Sequence, residues 1–173
     1  MQETPQQYTQ RMLSHSNGKD PVRLQTAAPK KLAALTKRLN KKQLNRRPAP
    51  GKWSITEIMA HLADAELAIG WRVRLILGAN GTPVAAFDQD VWAETFKYSR
   101  RDPKTSLETF RVLRENNLRL LKSVPKSLWQ NYGMHQERGQ ETIDHIVRMI
   151  AGHDLNHLAQ IEKIVSENRG RRR

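Results

Sequence analysis

The chain has 173 residues, with 30 Lys or Arg against 17 Asp or Glu, which gives a formal net charge of +13, and it contains no cysteine. This length suits one domain with its own core, and we predict a single domain over residues 1–173 with a basic C-terminal tail at about 168–173. The lack of cysteine excludes disulfides, thiolate metal sites and cysteine nucleophiles. Because no segment has the composition of a membrane span or a signal peptide, we expect a cytoplasmic protein without membrane contact.

Basic residues cluster in the first third of the chain. Nine Lys or Arg lie between residues 30 and 52 without any acidic residue among them. Such a charge excess attracts anionic partners, which include nucleic acid, membrane surfaces and small anionic substrates. No aromatic residues alternate with these charges in the manner of a base-stacking surface. We therefore predict a solvated helix face and a small-molecule substrate, with a nucleic-acid groove as the less favoured alternative.

The first long helix is predicted over about residues 25–40. Leu32, Leu35 and Leu39 are spaced there by three and four residues, as on one face of a helix. A shorter helix around Tyr8 is predicted to precede it, because apolar residues recur at helical spacing in that segment. Both segments are expected to turn an apolar face towards a common core.

The second helix has the clearest start in the sequence. Ser54 and Glu57 have the spacing of a capping box, and Trp53 and Ile58 stand where a hydrophobic staple would fix the entry of the chain. An apolar stripe continues from there until Gly78, where the helix is predicted to end. The pattern indicates a long amphipathic helix that faces the core.

The third helix is predicted to begin at Asp102 and Pro103 and to end before Pro125, and the fourth to cover about residues 141–168. An aromatic stretch at 87–98 is expected to form a lid or a short helix. Period-two alternation is rare, so strands are predicted to contribute little or nothing. Four long amphipathic helices predict an all-α protein with a four-helix bundle.

Two histidines interrupt the apolar stripe of the fourth helix. His153 and His157 are four residues apart, so their imidazoles lie one turn above the other and can point at a common spot inside the bundle. Burying unsatisfied polar groups costs about 1–3 kcal/mol each, and a metal ion would satisfy both rings. Such a pair also occurs simply as hydrogen-bonded or half-exposed histidines, and that alternative stays open for the pair alone.

A third imidazole strengthens the metal interpretation. His61 lies beside the inner stripe of the second helix. Three neutral imidazoles from two facing helices suffice to hold a divalent ion and to leave one position open for water or a thiol. We therefore predict a metal site at His61, His153 and His157. Imidazole suits zinc, nickel, iron and copper alike, and among these we expect zinc or nickel.

Three polar residues lie close in sequence to these histidines. Asp64, Asp154 and Gln160 are candidates to orient a histidine or a bound water, with an ordinary polar residue at the rim of a helix stripe as the alternative. His135 is predicted to be exposed in a polar loop. Trp92 is expected to pack at the rim of the core or to line the mouth of a pocket.

Two segments that contain the histidines resemble the DinB-like family of metalloenzymes. The matching residues are Trp53 to Ile55, Glu57, Ile58, His61 to Glu66, and Gly152 to Ile161. The resemblance spans nearly the whole chain and implies a four-helix bundle whose metal-binding histidine triad corresponds to His61, His153 and His157. The wider superfamily includes metal-dependent transferases and isomerases that use a thiol, so the resemblance also implies an external low-molecular-weight thiol as a cosubstrate.

The sequence therefore predicts a metal-dependent enzyme, either a thiol-dependent S-transferase or a related hydrolase or isomerase, with unknown catalytic groups beyond the metal site. The alternative is a non-enzymatic basic bundle that binds an acidic partner or nucleic acid. A homodimer is also compatible with a bundle that retains apolar surface.

Overall fold

The computed structural model describes residues 3–170, with side chains described as far as residue 167. The predicted basic tail therefore lies outside the residues whose side chains are described. Seven α-helices form the bulk of the described chain: α1 (Pro5–Ser16), α2 (Pro21–Thr36), α3 (Lys41–Asn45), α4 (Ile55–Gly78), α5 (Gln89–Thr95), α6 (Pro103–Ser123) and α7 (Ile143–Gly170). Three short strands accompany them: β1 (Thr82–Val84), β2 (Tyr132–His135) and β3 (Gly139–Thr142).

The four longest helices form a bundle. Helix α4 packs against α6, and α2 packs against both α7 and α6, while α1 lies along α7 as an additional helix. This arrangement is the all-α four-helix bundle that the sequence predicts. Within the described residues, no helix combines the length and the apolar character that crossing a bilayer requires.

Local capping explains where the bundle helices begin. The Ser54–Glu57 capping box opens α4 as predicted, and Asp102 with Pro103 opens α6. Helix α2 begins earlier than predicted, because the Asp20 side chain accepts hydrogen bonds from the backbone of residues 22 and 23 and starts the helix at Pro21. It also ends earlier, at Thr36, so the predicted range of about 25–40 was displaced along the chain.

The Glu57 carboxylate should make the stability of the protein depend on pH. Burial alone would raise the pKa of Glu57, but hydrogen bonds from Arg47 and Ser54 outweigh burial and hold the pKa below its usual range. A pKa that is lower in the folded than in the unfolded state stabilises the fold above the unfolded value, and this stabilisation is lost as pH falls through the folded pKa.

We expect the Glu57→Gln variant to lose about 1–3 kcal/mol of unfolding free energy at neutral pH, because bonds from a charged partner to a buried carboxylate are broken. The difference from the wild-type protein should shrink as pH falls below the usual glutamate range. Urea unfolding of both proteins across an acidic pH series measures this difference in unfolding free energy. A difference that is constant with pH would contradict the assignment.

A small sheet closes one end of the bundle, where the sequence pattern predicts little or no strand. Strand β1 pairs in parallel with β2, and β2 pairs antiparallel with β3 through a turn at residues 136–138, after which Gly139 opens β3 with a φ of +75°. The strands are too short to show a clear alternation, and the parallel pair joins distant parts of the chain, so local patterns do not reveal it. His135 ends β2 and is only 4% exposed, so its predicted exposure was wrong.

A buried ionic layer divides the core into two apolar clusters. On α6, Arg114 lies between Phe110 of one cluster and Leu118 of the other. Its guanidinium contacts two carboxylates, with Nη2 2.7 Å from Glu66 of α4 and 3.1 Å from Oδ1 of Asp154 on α7. Each of these three ionic side chains is 3% exposed. The layer thus ties three bundle helices together next to the histidines.

Gly152 allows α1 to lie directly on α7. A Cβ atom at this position would stand 1.7 Å from the backbone oxygen of Met12, far inside contact distance. The close approach seats α1 beside His153, the next residue of α7, and brings Tyr8 of α1 to the wall of the cavity described below.

Candidate metal centre

Three histidines converge between α4 and α7. The Nε2 atom of His153 lies 3.0 Å from Nε2 of His61 and 3.1 Å from Nε2 of His157. All three side chains are buried, and each offers a nitrogen within 4.8 Å of those of the other two. The structure therefore brings together the three residues that the sequence pattern selects.

The hydrogen-bonding capacity of the rings does not account for this convergence. A neutral imidazole has one N–H and one nitrogen lone pair. The Nε2 atom of His153 can therefore donate or accept only once, although two Nε2 atoms lie within hydrogen-bonding distance of it. Three lone pairs that face one point instead suit a cation. The donor set of the centre thus fits a divalent metal ion.

Burial keeps these imidazoles neutral. Burial lowers the pKa of His157 to about 4. It also holds the pKa of His61 and of His153 well below the usual range, and the neighbouring imidazoles add to the shift. A neutral ring has the free lone pair that a metal ligand needs. Metal binding at neutral pH would therefore not have to compete with a proton at these nitrogens.

The three polar candidates beside the histidines have different partners. The Oε1 atom of Gln160 lies 2.9 Å from Nδ1 of His157, so Gln160 contacts a histidine of the centre. Asp64 instead accepts a bond from Arg101 at 3.0 Å. Asp154 is directed to Arg114, because that buried guanidinium needs carboxylate partners. Among the described contacts, neither aspartate bonds to a histidine, so an orienting role towards a bound water stays a prediction for both.

Two cavities border the centre. One has a volume of about 300 Å³ and is bordered by His61 and His153. The other, of about 510 Å³, is bordered by His157 and Gln160. Gln89 of α5 lines both. The buried histidines therefore border two cavities whose volumes suit small molecules.

The aromatic stretch forms part of the cavity wall. Phe87 lines the smaller cavity, and the ring of Trp92 stacks on it at 4.3 Å between centroids. Trp92 thus supports the wall from behind. The ring of Trp53 lies 5.0 Å from the ring of His61 and restricts its orientation.

Two polar residues that line the smaller cavity, Arg72 and His135, were missed as site residues from the sequence. Arg72 had a detectable signal, because it stands between Ile69 and Ile76 at helical spacing on the buried face of α4. A charged residue on such a stripe requires an explanation. His135 gave no comparable signal, since its burial depends on the pairing of strands.

The chain forms a helical bundle with a three-histidine centre. Comparisons find similar proteins that are named as metal-dependent hydrolases, one of them a four-helix bundle. The model of the DinB superfamily matches residues 25–161. "Putative metal-dependent hydrolase OB0413" from Oceanobacillus iheyensis is 30% identical over 137 residues, which cover 76% of each chain. "Putative metal-dependent hydrolase BH0277" from Halalkalibacterium halodurans is 25% identical over 138 residues, 80% of each chain.

A solved structure shows the same fold. YfiT from Bacillus subtilis, described as "a probable metal-dependent hydrolase with an unusual four-helix bundle topology", superimposes with a TM-score of 0.81 at 21% identity. The match covers 87% of this chain and 86% of the other. The chain belongs to the DinB superfamily.

Proposed function

We propose that this protein is a metal-dependent hydrolase in which His61, His153 and His157 hold one divalent cation, zinc or nickel, beside a cavity for a small-molecule substrate. The observation that carries the proposal is the convergence of three buried, neutral imidazoles on one point. The names of the relatives from Oceanobacillus and Halalkalibacterium support the same reaction class.

The residues of the chain prepare the centre for this chemistry. A cation that three neutral ligands hold keeps its full charge and makes a water or a thiol nucleophilic at neutral pH. Burial keeps the imidazoles neutral, and Gln160 orients one of them. The packing of Trp53 on His61 limits movement of that ring and excludes water from its face.

A thiol-dependent transferase is the second candidate, and a specific observation favours it. Two cavities border the histidines, which leaves room for a cosubstrate as well as a substrate. The chain has no cysteine, so any thiol must come from outside. Turnover of an electrophilic substrate that requires an added thiol would select the transferase, whereas turnover in water alone would select the hydrolase.

Metal content tests the proposal directly. We expect wild-type protein, purified without an immobilised-metal column, to contain close to one equivalent of zinc or nickel by elemental mass spectrometry. The His153→Ala, His157→Ala double variant should contain almost none, because two of three ligands are removed. The matched control is His145→Ala, which removes a partly exposed histidine from the same helix and should leave the metal in place.

Negligible metal in wild-type protein after reconstitution with zinc, nickel or manganese would refute the metalloenzyme assignment. The basic bundle that binds an acidic partner would then become the leading function. Binding to an acidic partner that weakens steeply with added salt would identify this function.

The Gln160→Ala variant should bind metal about 10–100-fold more weakly, the range seen when a partner of a metal-bound histidine is removed. The Gln160 amide oxygen accepts from Nδ1 of His157 and so keeps the lone pair of Nε2 directed at the centre. Competition with a chelator of known affinity measures the change. Glu162→Ala, an exposed substitution two residues further along α7, is the control, and equal affinities in the two variants would contradict the role of Gln160.

A further inference from the structure

Arg72 is a buried charge that forms no ion pair with any of the described residues. The residue lies on α4 and is 5% exposed. Its one described hydrogen bond is from Nη2 to the backbone oxygen of Ala85 at 3.1 Å, and among the described residues no carboxylate oxygen lies within 4.0 Å of it. Burial lowers the pKa of Arg72 to about 10, so the side chain stays charged at neutral pH. A buried charge is normally paired.

Arg114 is a second buried arginine, and its guanidinium has a structural role. That side chain is surrounded by Glu66 and Asp154, and it also donates to the backbone oxygen of Gln25. Arg72 lacks such an arrangement, although both arginines belong to the helices of the bundle. The charge of Arg72 is thus not fixed by an ion pair of the kind that holds Arg114.

His135 supplies a second donor to the same cavity. Its Nδ1 atom accepts a hydrogen bond from the backbone N–H of Glu137 at 3.2 Å, which leaves the proton of the neutral ring on Nε2. Burial, together with Arg138 and Arg72, lowers the pKa of His135 to about 4, so the ring is neutral at physiological pH. Within the described residues, Nε2 has no hydrogen-bond partner, and it is available to a ligand.

Glu141 attracts Arg72, but it forms its ion pair with Arg138 and so does not neutralise Arg72. Arg138 is paired with Glu141, with Nε 2.6 Å from Oε1. Glu3 is paired with Arg11 at 2.8 Å. Glu137 is exposed at the rim of the cavity. The inner part of the cavity thus keeps one uncompensated positive charge.

The position of Arg72 relates it to the metal centre. Arg72 and His135 line the cavity of about 300 Å³ that also reaches His61 and His153. Arg72 follows His61 on α4 by about three turns, which is about 16 Å along the helix axis. A cavity of this size suits a small molecule. One such molecule could place a charged end near Arg72 and a reacting group near the histidines.

We propose that Arg72 and His135 form a subsite for the anionic oxygen group of the substrate, a carboxylate or a phosphate. The guanidinium would pair with the anion through two parallel N–H donors, and the His135 ring would donate a further bond. The subsite rests on the proposed function and deepens it, because it defines the substrate as a small anion whose reacting group lies at the other end of the molecule. Anion binding itself does not require the metal.

Binding of acetate and of inorganic phosphate tests the subsite. In nitrogen-15 NMR spectra of the full chain, at constant ionic strength set with chloride, we expect the Arg72 Nε and His135 Nε2 signals to shift with one of these anions. The dissociation constant should be in the millimolar range, as for a few charge-assisted bonds. The anion that binds identifies the group as carboxylate or phosphate. No shift beyond that of chloride with either anion would overturn the proposal.

Substitution of Arg72 tests whether its guanidinium holds the anion. Arg72→Met should weaken anion binding about tenfold or more, while Arg119→Met, which removes an exposed charge from α6, should leave it unchanged. Arg72→Met should also melt at the same or a higher temperature, since it removes an unpaired buried charge. Equal anion binding by the Arg72→Met and wild-type proteins would refute the assignment.

The His153→Ala, His157→Ala double variant distinguishes the two proposals. It should bind the anion as the wild-type protein does, even though it has lost the metal. If this variant binds the anion, the subsite is independent of the metal. If the wild-type protein also fails to hold metal, the subsite stands and the metalloenzyme assignment is refuted. Loss of binding in the variant, when its fold is intact by circular dichroism, would show that the histidines rather than Arg72 and His135 attract the anion.

Discussion

Replacing Arg114 with alanine should lower the free energy of unfolding by about 3–5 kcal/mol, the range observed when one partner of a buried ion pair is removed. The substitution would leave Glu66 and Asp154 buried without their cation. Burial already raises the pKa of Asp154 to about 6 despite the attraction of Arg114. Without that attraction, at least one carboxylate would have to take up a proton or the helices would have to separate.

Urea unfolding monitored by circular dichroism measures this loss. The matched control is Arg111→Ala on the same helix, where an exposed guanidinium pairs with Glu108 and Glu115. Pairs of that kind contribute about 0–1 kcal/mol. A similar effect of both substitutions would show that the ionic layer is not a main source of stability.

The Gly152→Ala variant should lose about 3 kcal/mol or more, at the upper end of the range for overpacking. The added methyl group would meet the backbone oxygen of Met12, which cannot move without the rest of α1. We therefore expect α1 to shift away from α7. Because Tyr8 of α1 lines the cavity, the variant should also change the cavity beside His153.

Thermal unfolding tests the stability, and hydrogen exchange of the α1 amides tests the displacement. Gly78→Ala is the control, since nothing lies within 4 Å of a Cβ atom at the end of α4. That change should be neutral or stabilise slightly, because alanine restricts the unfolded chain. If the two variants were equally stable, the close contact between α1 and α7 would not constrain the fold.

Features that depend on neighbouring residues in the sequence were predicted well. Ser54 and Glu57 bond to each other's backbone, so the start of α4 is decided within one turn. The convergence of His153 and His157 follows from helical spacing, and His61 was placed beside them because it lies next to the inner apolar stripe of α4.

Features that depend on pairing between distant segments were not predictable from such patterns. Thr82 pairs with Gly133, and neither strand is long enough to show a period. His135 pairs with Val84 in the same register, so its burial depends on contacts that the local sequence does not show. The partners of Asp64 and Asp154 were also missed, because Arg101 and Arg114 reach them from other parts of the chain.

The walls of the smaller cavity come from structurally separate sources. Helix α4 supplies His61 and Arg72 and α7 supplies His153, whereas β2 and the turn after it supply His135 and Arg138. In the proposed assignment, substitution of His135 in this segment would change anion binding while the three histidines of α4 and α7 stay in place. This modularity would let duplicated genes diverge in substrate choice while they keep one chemistry. It also marks residues 132–142 as the segment to exchange between relatives when the selectivity is to be reprogrammed.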